Sequence, residues 1–194
     1  MTTPHPSTDR RRAREVLQDA ILDVAERLAG VDGAASLSLK RLAEEAQVST
    51  MVIYSRFGDR FGLEEALAGR AIESLQRAIE ESGEAGSTSI TDVGAAIRGW
   101  AHDHRSRFSL LFLTSHLLDA SLRPEIDQAI IRSARGVEKQ LGWAVGRSTG
   151  PGLTALAAMV GYLTLELREQ LPKHQVEAGF GDLLDALADL GPNH

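Results

Sequence analysis

Between residues 48 and 63 the chain reads VSTMVIYSRFGDRFGL, an unusual concentration of groups that can hold anionic oxygen. Ser49, Thr50 and Ser55 supply aliphatic hydroxyls, Tyr54 a phenol, and Arg56 and Arg60 guanidinium forks, all donors suited to phosphate. Ser38 and Lys40 add a hydroxyl and an ammonium a few residues upstream. Ser49, Thr50, Met51 and Val52 are small or modest enough for the leading end of a helix to enter a DNA groove. Ile53 and Phe57 lie four apart and share one face, so they would seat such a helix on a scaffold while its rim stays outward.

Those groups need elements to position them. Ser38 can cap a short helix with Leu39, Leu42, Ala43 and Ala46 inward, and Ser49 can cap a second from Thr50 to Phe57. Two short helices across a tight turn, backed by the longer helix of Val16, Leu17, Ile21, Val24, Ala25 and Leu28, form a helix-turn-helix. A long helix over about 60–82 follows, then helices near 89–105, 107–118, 124–147, 152–170 and 181–190. Pro124 suits a helix start, and Pro151 and Pro172 punctuate ends. No alternating strand pattern, internal repeat or low-complexity tract occurs. The expected fold is all-α: a three-helix helix-turn-helix domain over 1–60, with a basic arm at 1–14, then a second helical domain over 61–194.

Composition narrows the chemistry. The 194 residues are 43% hydrophobic, enough for a packed core, and contain no cysteine, so neither disulfides nor thiolate sites arise. No signal peptide or membrane-spanning run is read, so a cytoplasmic protein without membrane contact is expected. The net charge is −6, but residues 1–60 carry nine basic and nine acidic side chains, leaving the excess acidity to the remainder. Arg10, Arg11, Arg12 and Arg14 cluster at one end of the first part, and Lys40, Arg41, Arg56 and Arg60 at the other. The first cluster reads either as an arm reaching a minor groove or as a solvated helix start. The second is a local basic surface able to hold phosphate.

The stretch LSLKRLAEEAQVSTMVIYSRFGDRFGLEEAL resembles the DNA-binding signature of TetR-family transcriptional regulators, with Leu42, Ala43, Ala46, Val48, Ser49, Tyr54, Phe57 and Leu63 at matching places. The resemblance implies that Tyr54 and Arg60 contact phosphate, that Ser38 and Lys40 touch phosphate or a base edge, and that Thr50, Met51, Val52, Ser55 and Arg56 face the groove. Three positions depart from the pattern: Gln47 replaces a turn glycine, Arg60 a lysine and Phe61 an acidic residue. A left-handed non-glycine residue costs about 1–2 kcal/mol. Phe61 has no account from the DNA side.

Further on, GWAHDHRSRFSLLFL and MVGYLTLEL resemble a WHG-type C-terminal domain found in some members of the family, although Arg105 and Val160 replace its proline and histidine. By that resemblance an effector pocket would draw on Trp100, His104, Phe108, Phe112, His116, Trp143 and Tyr162, each of which could equally be core. The apolar stripes with Leu156, Met159, Leu163 and Leu167, then Leu183, Leu184 and Leu187, suit a four-helix dimer seam. His102 and His104, two apart on a helix, face different sides, so no metal site is expected, and no cofactor is implied. Ser109, Ser115, His116 and Asp119 lack any nucleophile elbow, glycine-rich phosphate loop or paired-carboxylate motif, so an enzyme is not expected. The expectation is a homodimeric, ligand-responsive repressor on palindromic duplex DNA. The alternative is a helical small-molecule or protein-binding module that has lost DNA binding.

Overall fold

Ile21, Leu22, Ala25 and Leu28 recur every three or four residues and are all buried, which fixes the inner stripe of the first helix. In the computed structural model, which describes residues 6–32, 38–143 and 150–189, that helix is α1 (Pro6–Asp32). It starts at Pro6, so the chain from there to Arg14 is the beginning of α1, where Arg11 pairs with Glu15 at 2.9 Å. Then come α2 (Leu39–Glu45), α3 (Thr50–Phe57), α4 (Arg60–Glu80) and α5 (Ile90–Asp103). The remainder is α6 (Arg105–Phe108), α7 (Arg123–Gln140), α8 (Gly150–Leu167) and α9 (Val176–Ala188), with no strand among the described residues.

Local chemistry sets the ends of the small helices. Ser38 Oγ accepts the Arg41 N–H at 3.1 Å and Ser49 Oγ the Val52 N–H at 3.3 Å, each satisfying a donor left over at a helix start. Between them α2 closes in a Schellman motif: Val48 N–H reaches Ala43 O at 2.9 Å and Gln47 N–H reaches Glu44 O at 3.2 Å. That closure requires a left-handed residue, and Gln47 supplies it at φ 55. Asp59 Oδ1 caps α4 through Gly62 N–H at 2.9 Å. A Cβ on Gly62 would lie 1.9 Å from the Phe57 carbonyl oxygen, so only glycine allows this approach of α4 to α3.

One continuous buried cluster joins the helices. Its N-terminal part gathers Ile21, Ala25, Leu42, Ile53 and Phe57 onto Leu63 and Leu67 of α4. Further along α4, Ala71, Leu75 and Ile79 belong to the same cluster as Val93, Ile97 and Trp100 of α5, Ile126 and Val137 of α7, and Leu156, Met159 and Leu163 of α8. Two carboxylates brace this arrangement. Glu26 of α1 receives Arg107 Nε of α6 at 2.9 Å and Arg70 of α4 at 3.6 Å. Arg98 of α5 gives two hydrogen bonds to Glu166 of α8, at 3.1 and 2.8 Å, and pairs with Glu177 of α9 at 2.7 Å.

Several expected boundaries move. The helix expected over 89–105 ends at His104, with φ −128 and ψ 50, but the single helix expected over 107–118 is instead α6, a π-helical turn (Ser109–Leu113) and a 3₁₀ turn (Ser115–Leu117). In the widened turn Ser109 O accepts both the Thr114 N–H at 2.8 Å and the Thr114 hydroxyl at 3.1 Å. Leu110 and Leu111 both bury there, a consecutive pair that a narrow α-helical stripe accommodates poorly. The helix expected over 124–147 ends at Gln140, and residues 144–147 of that expectation lie outside the described residues. The last helix begins at Val176 rather than 181.

The expected dimer seam also needs correction. Leu156, Met159, Leu163, Leu184 and Leu187 are buried in the chain's own core, so they cannot form an outward seam; Leu167 and Leu183 are half-buried. The outward stripe of α8 is Leu153, Ala157, Gly161 and Leu165, with Leu153 37% and Leu165 42% exposed.

Replacing Gln47 by glycine should relieve the left-handed strain of the α2–α3 turn. Part of the gain is offset by the greater freedom of glycine in the unfolded chain, leaving a net stabilisation of about 0.5–1 kcal/mol. Urea unfolding of Gln47→Gly beside the unaltered chain checks this; an unchanged or lower midpoint contradicts it.

Candidate nucleic-acid interface and effector region

The rim of α3 is built by its buried side. Ile53 and Phe57 sink into the cluster with Leu42 and Leu63, which turns the opposite edge of an eight-residue helix to solvent. Met51 is 77% and Tyr54 54% exposed, and Thr50 and Ser55 are exposed beside them. A thioether and a phenol so placed contribute nothing to the chain's own core and leave an apolar and a hydrogen-bonding tip facing outward. Val52 is half-buried, and so is Arg56, whose Nε is buried without a partner among the described residues. Ser55 Oγ donates to Val52 O at 2.9 Å, which leaves its lone pairs, not its proton, for a partner.

Ser38 and Ser49 use their oxygens as helix caps, so each retains its hydroxyl proton for an anion. Lys40 is exposed and lies 4.0 Å from Glu44, a distance that water and salt screen readily. Ser38 and Lys40 stand at the start of α2, Ser49 to Arg56 along α3 and Arg60 at the start of α4, and α3 packs against both of the other helices. No acidic residue occurs within α3.

Arg60, expected to contact phosphate, also has a partner within the fold. Its Nε donates to Glu64 Oε1 at 2.7 Å, one helical turn along α4, and Glu64 is buried. The other oxygen of that carboxylate, Oε2, accepts the Asp119 backbone N–H at 2.9 Å. One carboxylate therefore connects a residue of the candidate DNA face to the loop that follows the π turn. Phe61, unexplained from sequence, lines the same small cleft with Leu117, Leu118 and Asp119. The Asp119 carboxyl, accepting from the Ser121 hydroxyl and N–H, is held below the usual carboxylate range.

The C-terminal aromatics do not converge on one cavity. Trp100, His104, Phe108 and Phe112 form a ladder, with successive contacts from Trp100 to His104 (6.5 Å), Trp100 to Phe108 (6.3 Å) and Phe108 to Phe112 (5.3 Å). Trp100 and Phe108 are core residues, and the Trp100 indole N–H donates to Ser74 Oγ at 2.9 Å. Tyr162 instead contacts Phe180 and donates its hydroxyl to Val176 O at 2.8 Å, fastening α9 to α8. His116 is exposed, and Trp143 is half-buried at the end of the α7 segment.

Open clefts border this ladder. One of about 510 Å³ between α4 and α5 is lined by Trp100, His104, Arg77 and Arg107. Burial, with Arg107 adding to it, holds the His104 imidazole below its ordinary range. Another of about 310 Å³, between α6 with its π turn and the end of α8, exposes an edge of Phe108. Sequence reasoning missed Glu26, Glu64, Arg98 and Glu166. The one local signal was the four-residue spacing of Arg60 and Glu64.

The same helical arrangement recurs in known proteins. Residues 21–67, which hold the inner half of α1, the turn, α3 and the start of α4, match the family described as bacterial regulatory proteins, tetR family. The N-terminal segment is a TetR-family domain. Its TetR-type helix-turn-helix continues into an all-helical chain with the fold of TetR-family regulators. A TetR-family transcriptional regulator from Haemophilus influenzae RD superposes with a TM-score of 0.66 at 18% identity, covering 90% of this chain and 97% of that one. The multidrug binding protein EbrR, complexed with imidazole, gives 0.66 at 19% identity, covering 91% and 90%. A protein of unknown function from Rhodococcus sp. RHA1 gives 0.66 at 26% identity, covering 91% and 95%. No protein of curated function matches the chain. Among the described residues no helix is long and apolar enough to cross a membrane.

Truncating Glu64 to alanine should leave the Asp119 N–H without its acceptor and destabilise the fold by about 1–3 kcal/mol. Amide hydrogen exchange should accelerate at Asp119 more than at the core of α7; uniform acceleration along the chain would contradict a local tie.

Proposed function

We propose that this TetR-type protein is a homodimeric transcriptional regulator, a repressor that leaves a palindromic operator when a small molecule binds its C-terminal domain. The observation that carries the reading is the outward edge of α3, where Thr50, Met51, Tyr54 and Ser55 are exposed on a helix anchored by Ile53 and Phe57. Those side chains suit base edges, while Tyr54, Arg60, Ser38, Lys40 and Ser49 suit the phosphates on either side. Arg56 can serve either role.

Reading a palindrome takes two copies with recognition helices about one turn of DNA apart, about 34–36 Å. The outward α8 stripe of Leu153, Ala157, Gly161 and Leu165 is the surface we assign to the second copy; Gly161 has open space where a Cβ would stand. Ligand control would pass through α4, whose side chains belong to both ends of the buried cluster, and through the Glu64 link to the 115–122 loop. A ligand acts here only through its different affinity for the two positions of α4. EbrR, similar in fold, is described as a multidrug binding protein, which supports a ligand role for this half of the chain.

Selection from a random duplex pool should enrich an inverted repeat. Tyr54→Phe and Arg60→Ala should weaken binding to every sequence, each by about 1.5–3 kcal/mol for a charged hydrogen bond. Arg60→Ala, which removes a cation, should also lower the salt slope by about 1, whereas Tyr54→Phe should leave the slope unchanged. Changes at Thr50 or Met51 should instead alter the preferred bases. No enrichment by a folded dimer would overturn the DNA reading and favour a non-DNA binding module. Leu165→Arg should yield monomers by sedimentation; an unchanged dimer would move the seam elsewhere.

A further inference from the structure

The cleft of about 310 Å³ between the π turn and the end of α8 is lined by Arg105, Ser106, Phe108, Ser109, Leu113, Leu167 and Arg168. Its chemistry is divided. Phe108, Leu113 and Leu167 make an apolar floor, Phe108 being almost wholly buried and the leucines half-buried. Arg105 and Arg168 bring two guanidinium groups, and no acidic side chain lines the cleft.

Neighbouring arginines are neutralised within the fold, whereas these two are not. Arg107 is paired with Glu26, and Arg98 with Glu166 and Glu177. Glu166 adjoins Leu167 in sequence, but its side chain is only 6% exposed, and its Oε1 is held by Arg98 and His102. Among the described residues Arg105 and Arg168 have no ion pair or side-chain hydrogen bond, and the Ser106 and Ser109 hydroxyls have no partner within the chain. Two guanidinium and two hydroxyl groups thus border an apolar floor, with the Glu166 carboxylate held elsewhere.

The backbone fixes both walls. The π turn, closed by the two bonds from Thr114 to Ser109 O, carries Ser109 and Leu113 to the same cleft. Such turns recur at functional sites. On the other wall α8 ends with Glu169 left-handed at φ 55; Gln170 N–H bonds Leu165 O and Glu169 N–H bonds Glu166 O, both at 2.9 Å. That closure holds Arg168 at the helix end, at the mouth of the cleft. A volume near 300 Å³ is at the lower end of small-molecule sites, room for a single short ligand.

We infer that this cleft binds a small amphipathic carboxylate, with its head between Arg105 and Arg168 and its apolar tail over Phe108, Leu113 and Leu167. A carboxylate is the head group that guanidinium forks bind in paired fashion, and the Ser106 and Ser109 hydroxyls can donate to the same oxygens. The inference names the ligand class of the effector domain in the regulator reading and rests on it. Leu113 ends the turn that leads through Thr114 to the Asp119 N–H held by Glu64, so an occupant touches the start of the coupling segment.

The test is titration of the full-length protein with octanoate, 1-octanol, acetate and inorganic phosphate, followed by calorimetry and by tryptophan fluorescence. Trp100, 6.3 Å from Phe108, lies close enough to report. Octanoate should bind at least tenfold more tightly than octanol, acetate or phosphate. Arg105→Ala and Arg168→Ala, both at exposed positions, should each weaken octanoate about tenfold or more and leave octanol unchanged; Arg168→Lys should recover part of the loss. Equal binding of octanoate and octanol would overturn the head-group assignment. Equal binding of phosphate would overturn the amphiphile, and arginine variants that bind octanoate normally would overturn the site. These arms contain no DNA. Octanoate binding without operator selection would therefore overturn the regulator reading alone, and operator selection without octanoate preference the ligand class alone.

Discussion

The buried face of α4 is the constraint on which the other elements depend. Its stripe from Leu63 to Ile79 has to fit α1 and α3 near one end and α5, α6, the π turn and α7 along the rest. Both sets of contacts are close-packed hydrophobic surfaces, which resist small changes of shape and shift instead between discrete arrangements. A helix held in this way cannot relax at one end without the other end registering it. The two parts of the chain are therefore separable in role but not in packing.

Polar ties give that packing its register. Hydrophobic burial is non-directional and would tolerate some sliding of α1 against α6. Glu26, between Arg70 and Arg107, and Glu64, between Arg60 and the Asp119 amide, do not tolerate it, because a shifted carboxylate leaves a desolvated charge or donor behind. The Arg98 and Glu166 pair plays the same part between α5 and α8. Each tie joins elements far apart in sequence, at helix faces that apolar periodicity does not single out.

That difference explains what could be read from the residues alone. The all-helical class, the capping serines Ser38 and Ser49 and the seating of α3 by Ile53 and Phe57 follow from spacing and cap chemistry over a few residues, and they stand in the structure. The residues proposed for the DNA face could be grouped because they are close in sequence. The inner face of α8 was not. That helix is apolar nearly all round, so its stripe has no contrast, and Leu156, Met159 and Leu163 read as outward when they are core. Whether Trp100 and Phe108 fill the core or border a cleft was open for a similar reason, since aromatic spacing does not tell lining from filling; both are buried and each also borders a cleft. The π turn and the 3₁₀ turn that divide the expected 107–118 helix have no short-range signature.

The glycine at position 62 has a mechanical consequence. With the Phe57 carbonyl oxygen seated where a Cβ would be, α3 and α4 meet at a stiff joint and behave as one bent lever. The long arm is the 21-residue α4, about 31 Å at 1.5 Å per residue. Rotating such an arm by about 10° about one end carries the other through about 5 Å, a large fraction of the pitch of a helix turn. A displacement small enough to begin with one repacked side chain near α5 would thus arrive at the outer edge of α3 as a change of reach.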